Sequence, residues 1–245
     1  PPRSTLFPYT TLFRSIRQSG AWLARGVCPT RDVASLAGAL APLDIRRALA
    51  CCVADAATRA LLEDMLSPRV ERLRWLTARA EAHGVTNRYQ PPESLGADRY
   101  AALVAAWRRQ LGDCVVASVG TALTADALTA AGEFLGGAIA PGPELMRAAL
   151  LRGTAGVREY DDVEKTAFPV DTGAAVASGV TLAMVGVVLG MRERLMRWTG
   201  GPVTLLLAGG ARSWLAGVLP APLVEAEDLV LEGLAGIAKE WEWDV

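Results

Sequence analysis

The chain has 245 residues, 51% of them hydrophobic, which is enough for one large domain or two small ones with a substantial core. Its 25 basic residues nearly cancel 26 acidic ones, so charge gives no case for nucleic acid or for an anionic membrane surface as a partner. A single histidine, His83, argues against Ser-His-Asp catalysis and multi-histidine metal sites, and Cys28, Cys51, Cys52 and Cys114 show no CxxC spacing and read as reduced, mostly buried thiols of a cytoplasmic protein.

Pro1–Ser15, PPRSTLFPYTTLFRS, has no amphipathic period and no signal-peptide pattern, and reads as foreign to the rest of the chain. Ala21–Gly26 reads as a strand ending in a glycine turn. Ser35–Leu43 and Ala56–Leu66 have helical spacing on either side of an apolar strand, Ala48–Val53, in which Cys51 and Cys52 point to opposite faces. Val70–Leu76 is a further strand, followed by a short helix, Ala78–His83, with His83 on its surface. This alternation argues for an α/β layered fold. Pro91-Pro92 then enforces an extended loop, and Gly96 precedes a helix, Ala97–Gln110, whose first-turn Asp98 favours the positive helix end.

Val115 and the residues after it form a buried strand running into Gly120-Thr121-Ala122, a small-residue turn where backbone can approach a ligand closely. Thr124, Asp126 and Leu128 share one face of the next strand, Gly132 turns the hairpin, Phe134–Ile139 returns, and Pro141-Gly142-Pro143 opens a helix from Glu144. Strand, turn, hairpin and helix start together make a cradle suited to phosphate oxygens. Gly153–Ala167, with Glu159, Asp161, Asp162, Glu164 and Lys165, reads as a solvated loop. Asp171 or Thr172 caps a long small-residue helix running to about Trp198. No apolar run is expected to be long and charge-free enough to span a bilayer, the best candidate being Gly179–Met191. Pro202–Leu207 is a strand ending at Gly209-Gly210; Leu223–Ala226 and a helix, Leu229–Lys239, follow, with Trp241 and Trp243 covering apolar surface.

Three strings carry a resemblance. Gly120–Gly142 is similar to the GTA-x-T-x-D … G-x-F-x-GG-x-I-x-PG block of type III pantothenate kinases, Tyr89–Arg99 to their Y-x-x-P-x-x-L-G-x-D-R signature, and Phe168–Gly179 to F-P-x-x-T-x-x-A-x-x-x-G. The resemblance implies the actin-like ATPase and sugar-kinase fold, with two similar α/β lobes around a nucleotide cleft. The first lobe would be residues 16–112 and incomplete; the second would be 113–245, with the last helix packing back on the first. It implies ATP-dependent phosphorylation of pantothenate to 4′-phosphopantothenate, the entry to coenzyme A synthesis, with Mg²⁺, by a cytoplasmic homodimer that binds neither nucleic acid nor membrane. Asp98 would be the base, and Tyr89, Gly96, Ala97 and Arg99 would line the pantothenate pocket, with Thr172 reaching it across the dimer. Gly120, Thr121, Ala122 and Asp126 would serve the ATP phosphates, and Gly209 and Gly210 the adenosine. Ser118 stands where many members carry an aspartate for K⁺ or NH₄⁺, which implies a weakened cation site. The family's D-x-G-N-T-x-x-K phosphate loop is not in this sequence, and Pro1–Ser15 stands in its place, so the chain as given is expected to be inactive. A non-catalytic accessory protein with the same fold, or another small-molecule kinase, are the rival readings.

Overall fold

The computed structural model describes residues 11–18, 21–29, 32, 38, 40, 45–157 and 167–241. In chain order the elements are β1 (Thr11–Gln18), β2 (Ala21–Pro29), β3 (Arg47–Ala50), α1 (Ala56–Leu66), β4 (Arg72–Trp75), β5 (Glu81–Ala82), β6 (Val85–Asn87), α2 (Ala97–Arg108), β7 (Cys114–Val119), β8 (Ala122–Leu128), β9 (Glu133–Pro141), α3 (Pro143–Gly153), α4 (Thr172–Thr199), β10 (Thr204–Ala208), β11 (Leu223–Glu225) and α5 (Leu229–Glu240). They fall into two compact units, one of Pro1–His83, Tyr89–Ala105 and Val230–Val245, the other of Gly84–Arg88 and Ala106–Leu229.

In the first unit β1 and β2 form an antiparallel hairpin. Gly26 is not a turn: it lies inside β2 opposite Arg14, where the ladder satisfies its backbone groups. Ser15 and Ile16 both lie within β1, so the expected change of character between them falls inside one strand. β3 and β4 are parallel, and parallel strands need a crossover, which α1 supplies. The Asp55 carboxylate caps α1 by accepting from Thr58 N (2.7 Å), and Leu62 and Met65 bury the inner face of α1 with Leu40, Ile45 and Trp75. β3 stops at Ala50 because its partner runs out: Leu76 N donates to Ala50 O (2.7 Å), and Cys51–Val53 leave the sheet. Cys51 and Cys52 therefore do not occupy opposite faces of a strand. Most of the expected helix Ser35–Leu43 lies outside the described residues, as do Trp243 and the charged residues of the loop after α3.

The expected helix Ala78–His83 does not form. Six residues gain too few hydrogen bonds to offset nucleation, and the chain instead makes β5 and a turn in which His83 (φ 58°) and Gly84 (φ 80°) are both left-handed, the geometry of a tight hairpin. Nor is His83 a surface residue. Its side chain is 9% exposed, its ring meets Tyr100 (6.3 Å) and Trp241 (6.1 Å) edge-on, and Nδ1 pairs with the Glu240 carboxylate. α5 lies against α2 so closely that a β-carbon on Gly233 would fall 1.9 Å from Ala101 O.

The second unit is a sheet whose strands run side by side as β11-β10-β7-β8-β9-β6. β7 is parallel to β10 and antiparallel to β8, which is antiparallel to β9. Period-two alternation turns Val115, Ala117, Val119, Leu123, Ala125, Ala127, Leu205 and Leu207 to one face, and Val180, Met184, Val188, Met191 and Leu195 of α4 cover them. At about 1.5–3 kcal/mol per large apolar side chain removed from water, this layer is the main cohesion of the unit. α4 is capped by Asp171, which accepts from Ala174 N (2.9 Å), and ends at Gly200 (φ 74°). Its 28 residues, with a mean hydropathy of 2.0 over the most apolar window, make it long and apolar enough to cross a membrane, contrary to the expectation from Gly179–Met191. The core contacts account for the apolar character of one side; on the other, Leu182 is 68% exposed.

Candidate active site

Two clusters of the expected residues are assembled, one in each unit. In the first, the extended Pro-rich loop tightens into a 3₁₀ turn at Pro92–Ser94, and Leu95, 2% exposed, anchors it. Gly96 O then accepts from Tyr100 N (2.9 Å) to open α2. Asp98, in that first turn, is half-buried, and its Oδ1 accepts from Arg99 N (2.8 Å), one of the amides a helix start leaves without an intrahelical partner. A β-carbon on Gly96 would sit 2.7 Å from Asp98 Oδ1, so a side chain there would displace the carboxylate from this position. Arg99 is 8% exposed, and its Nη1 donates to Tyr89 Oη (2.9 Å), so Tyr89 and Arg99 meet although the loop separates them in sequence. A buried guanidinium demands such partners, because an unpaired cation pays a large desolvation cost. Ala97 is buried.

The segment leaving β3 reaches the same place, which the sequence did not signal. The position of a β-carbon on Gly96 lies 3.5 Å from Val53 Cγ1. Burial, and secondarily the Asp98 and Cys52 charges, push the Cys51 thiol up to about 12, so it stays a neutral thiol beside the carboxylate. Cys114, in the other unit, is likewise pushed to about 12 by burial and by Asp113.

In the second unit, three backbone turns converge at the end of β7. Gly142 N donates to Thr121 O (2.8 Å), and Ala211 N donates to Val119 O (3.0 Å). The approach is close enough to exclude side chains. A β-carbon on Gly142 would fall 2.0 Å from Gly120 O, and one on Gly209, at φ 95°, would fall 2.2 Å from Val119 O. Gly120 and Gly210 differ. A β-carbon on Gly120 would meet nothing closer than Ala122 O at 3.9 Å, and one on Gly210 would meet nothing within 4 Å. Space is thus left beside the GTA turn and the GG turn, bordered by the start of α3, whose N-cap Gly142 offers no capping side chain. Such a cradle fits phosphate oxygens, which accept from free amides and favour a helix N-terminus.

Thr121 and Ala122 lie in this cradle, and Ser118 pairs with Thr124 one step down the ladder. Asp126 shares Thr124's face but pairs with Val116, deeper in the sheet, and is 1% exposed. It is an interior carboxylate and is not brought to the turn. Thr172 is the exposed first residue of α4. Among the described residues no group of three or more His, Cys, Asp or Glu side chains is arranged to hold a metal ion.

The sequence model of the type III pantothenate kinase family matches residues 30–194, which include Tyr89–Arg99, the GTA turn and Thr172. The type III pantothenate kinase of Nitrosomonas eutropha is 39% identical over 229 residues, covering 91% of this chain and 88% of its own length. That of Aromatoleum aromaticum is 37% identical over 221 residues, 90% of each chain. The chain belongs to the type III pantothenate kinase family. Among solved structures, a protein from Campylobacter jejuni described as a Baf family transcriptional activator superposes with a TM-score of 0.60 at 20% identity, over 90% of this chain and 93% of its own. One from Sinorhizobium meliloti described as a 2-dehydro-3-deoxygalactonokinase gives 0.55 at 16%, over 95% and 96%. Both bear on the fold alone, and they agree with the mixed α/β sugar-kinase-type architecture expected for the family. Gly209 and Gly210 lie beyond the matched segment.

Proposed function

We propose that this member of the family, with its phosphate loop in place, transfers the γ-phosphoryl group of ATP to the primary hydroxyl of pantothenate, giving 4′-phosphopantothenate for coenzyme A synthesis in the cytoplasm. The observation that carries the reading is the half-buried Asp98, fixed by the Arg99 amide beside the buried Arg99–Tyr89 pair. In the reaction the hydroxyl oxygen forms the new bond to the γ-phosphorus, the bond to the bridging oxygen of ADP breaks, and Asp98 accepts the hydroxyl proton. Tyr89, Gly96, Ala97 and Arg99 line the acceptor pocket. Thr121 and the GTA turn hold phosphate oxygens, and Gly209 and Gly210 border the adenosine. Mg²⁺ arriving with ATP supplies charge neutralisation on the phosphates. The chain's own part is positioning, since no covalent enzyme group is needed. With Ser118 uncharged, dependence on a monovalent cation is weak.

A homodimer belongs to this reading. Thr172 opens a helix whose outer side exposes Leu182, and Phe168 and Val170 just before it are 90% and 98% exposed, an apolar surface suited to a second copy. The test has two arms. Titration calorimetry of the chain with pantothenate tests the acceptor site without ATP, and saturable one-to-one binding is expected. An ADP-release assay on a form carrying the D-x-G-N-T-x-x-K loop tests the chemistry. Absence of both binding and turnover refutes the proposal, and binding without turnover identifies a non-catalytic relative. Light scattering at micromolar concentration should give a dimer; a fully active monomer would defeat that part.

A further inference from the structure

Resting on the pantothenate reading above, we infer that Val53 is a specificity residue, forming the apolar wall that receives the dimethyl-bearing quaternary carbon next to the reacting hydroxyl. The observation is positional. The vacant β-carbon position of Gly96 is 2.7 Å from Asp98 Oδ1 and 3.5 Å from Val53 Cγ1, so the carboxylate and the valine methyl are separated by no more than the sum of those two distances. Val53 lies in the segment released where β3 ends and is 60% exposed, so its methyls are open to a ligand rather than spent in the core.

The substrate's shape makes this juxtaposition meaningful. In pantothenate the reacting hydroxyl is carried on a CH₂ bonded directly to a carbon with two methyl groups. A hydroxyl held within hydrogen-bond reach of Asp98, about 2.6–3.2 Å, therefore brings those methyls against whatever flanks the carboxylate. A charged or strongly hydrated flank would have to be desolvated by them. A valine offers contact without that penalty. The wall thus selects an alcohol with a branched apolar neighbour over an unbranched one, while Asp98 recognises only the hydroxyl.

The experiment is calorimetric titration of the full chain and its Val53→Ala and Val53→Thr variants with pantothenate and with an analogue in which both methyls are replaced by hydrogen. Val53→Ala should weaken pantothenate about five- to tenfold, as loss of one or two methyl contacts implies, and Val53→Thr, which keeps the shape but replaces one methyl with a hydroxyl, should weaken it similarly. For the analogue, parent and variants should agree within about twofold, because the partner methyls are gone. Melting curves check that the fold is kept; a surface substitution of this kind should shift stability little. Unchanged pantothenate affinity in both variants overturns the inference, and so does an equal loss toward both ligands, which would mean a general disturbance of the loop. If the parent chain binds neither ligand, the pantothenate reading fails, and the inference fails with it.

Discussion

The glycines of the proposed nucleotide cradle fall into two physical kinds, and alanine substitution separates them. At Gly142 an added β-carbon would lie 2.0 Å from Gly120 O, 2.6 Å from Thr121 O and 2.9 Å from Thr121 C. All three are backbone atoms, so no rotamer change relieves the overlap and the start of α3 must move away from the GTA turn. That movement strains the packing by about 1–3 kcal/mol and weakens the Gly142 N to Thr121 O bond, worth about 0.5–1.5 kcal/mol, for a loss of roughly 2–4 kcal/mol. For a chain of this size each kcal/mol moves Tm by about 2–4 °C, so Gly142→Ala should melt on the order of 5–15 °C below the parent. Gly209→Ala should do at least as badly, since its backbone is left-handed (φ 95°) and a β-carbon would meet Val119 O at 2.2 Å. Gly120→Ala and Gly210→Ala should leave Tm almost unmoved, yet fill the space assigned to phosphate and adenosine. In a form carrying the D-x-G-N-T-x-x-K loop both should weaken ATP binding. Circular-dichroism melts of the four variants and one nucleotide titration are enough. Gly142→Ala melting within about a degree of the parent would refute the close approach. Undiminished ATP affinity in both Gly120→Ala and Gly210→Ala would refute the cradle.

Asp98→Asn should retain pantothenate binding and lose activity by ~10²–10⁴-fold in the loop-bearing form, because an amide cannot accept the hydroxyl proton; turnover above about a tenth of the parent removes Asp98 as the base. Ser118→Asp should raise the response to potassium at constant ionic strength, whereas the parent should respond weakly; steep activation of the parent contradicts the reading of Ser118. The cap of α1 gives a pH dependence. The Thr58 amide, and then its hydroxyl, hold the Asp55 carboxyl below the usual range, so the cap's contribution is present above the unfolded-state pKa and is lost as pH falls through the folded one. Asp55→Ala should therefore lower Tm near neutrality and make little difference at strongly acidic pH, and an equal shift at both pH values would show that the charge is irrelevant.

Where local chemistry dictates structure, the sequence could be read closely. The helical spacing of Ala56–Leu66 matches the bounds of α1, and Gly120 and Gly132 (φ 85°) mark the two reversals that set the β7–β8–β9 order. Where a partner decides, it could not. Ala48–Val53 is apolar throughout, but the length of β4 decides where β3 stops, and only that stop frees Val53 to stand beside Gly96. The strand period that grouped Asp126 with Thr124 is correct, but depth along the ladder, which no period reports, buries Asp126.

Asp98 shows why a bland reading and a functional one need not compete. As a first-turn acid it should be drawn to the free amides of a helix start, and its Oδ1 does accept from Arg99 N. In the proposed reaction the same bond would hold the carboxylate in one orientation while it accepts the hydroxyl proton. Gly96 completes the arrangement by leaving empty the volume that a side chain would take from the carboxylate. On the proposed reading, the G-x-D-R string is a helix start in which the Arg99 amide aims the carboxylate assigned as the base, and Gly96 keeps the space beside it open.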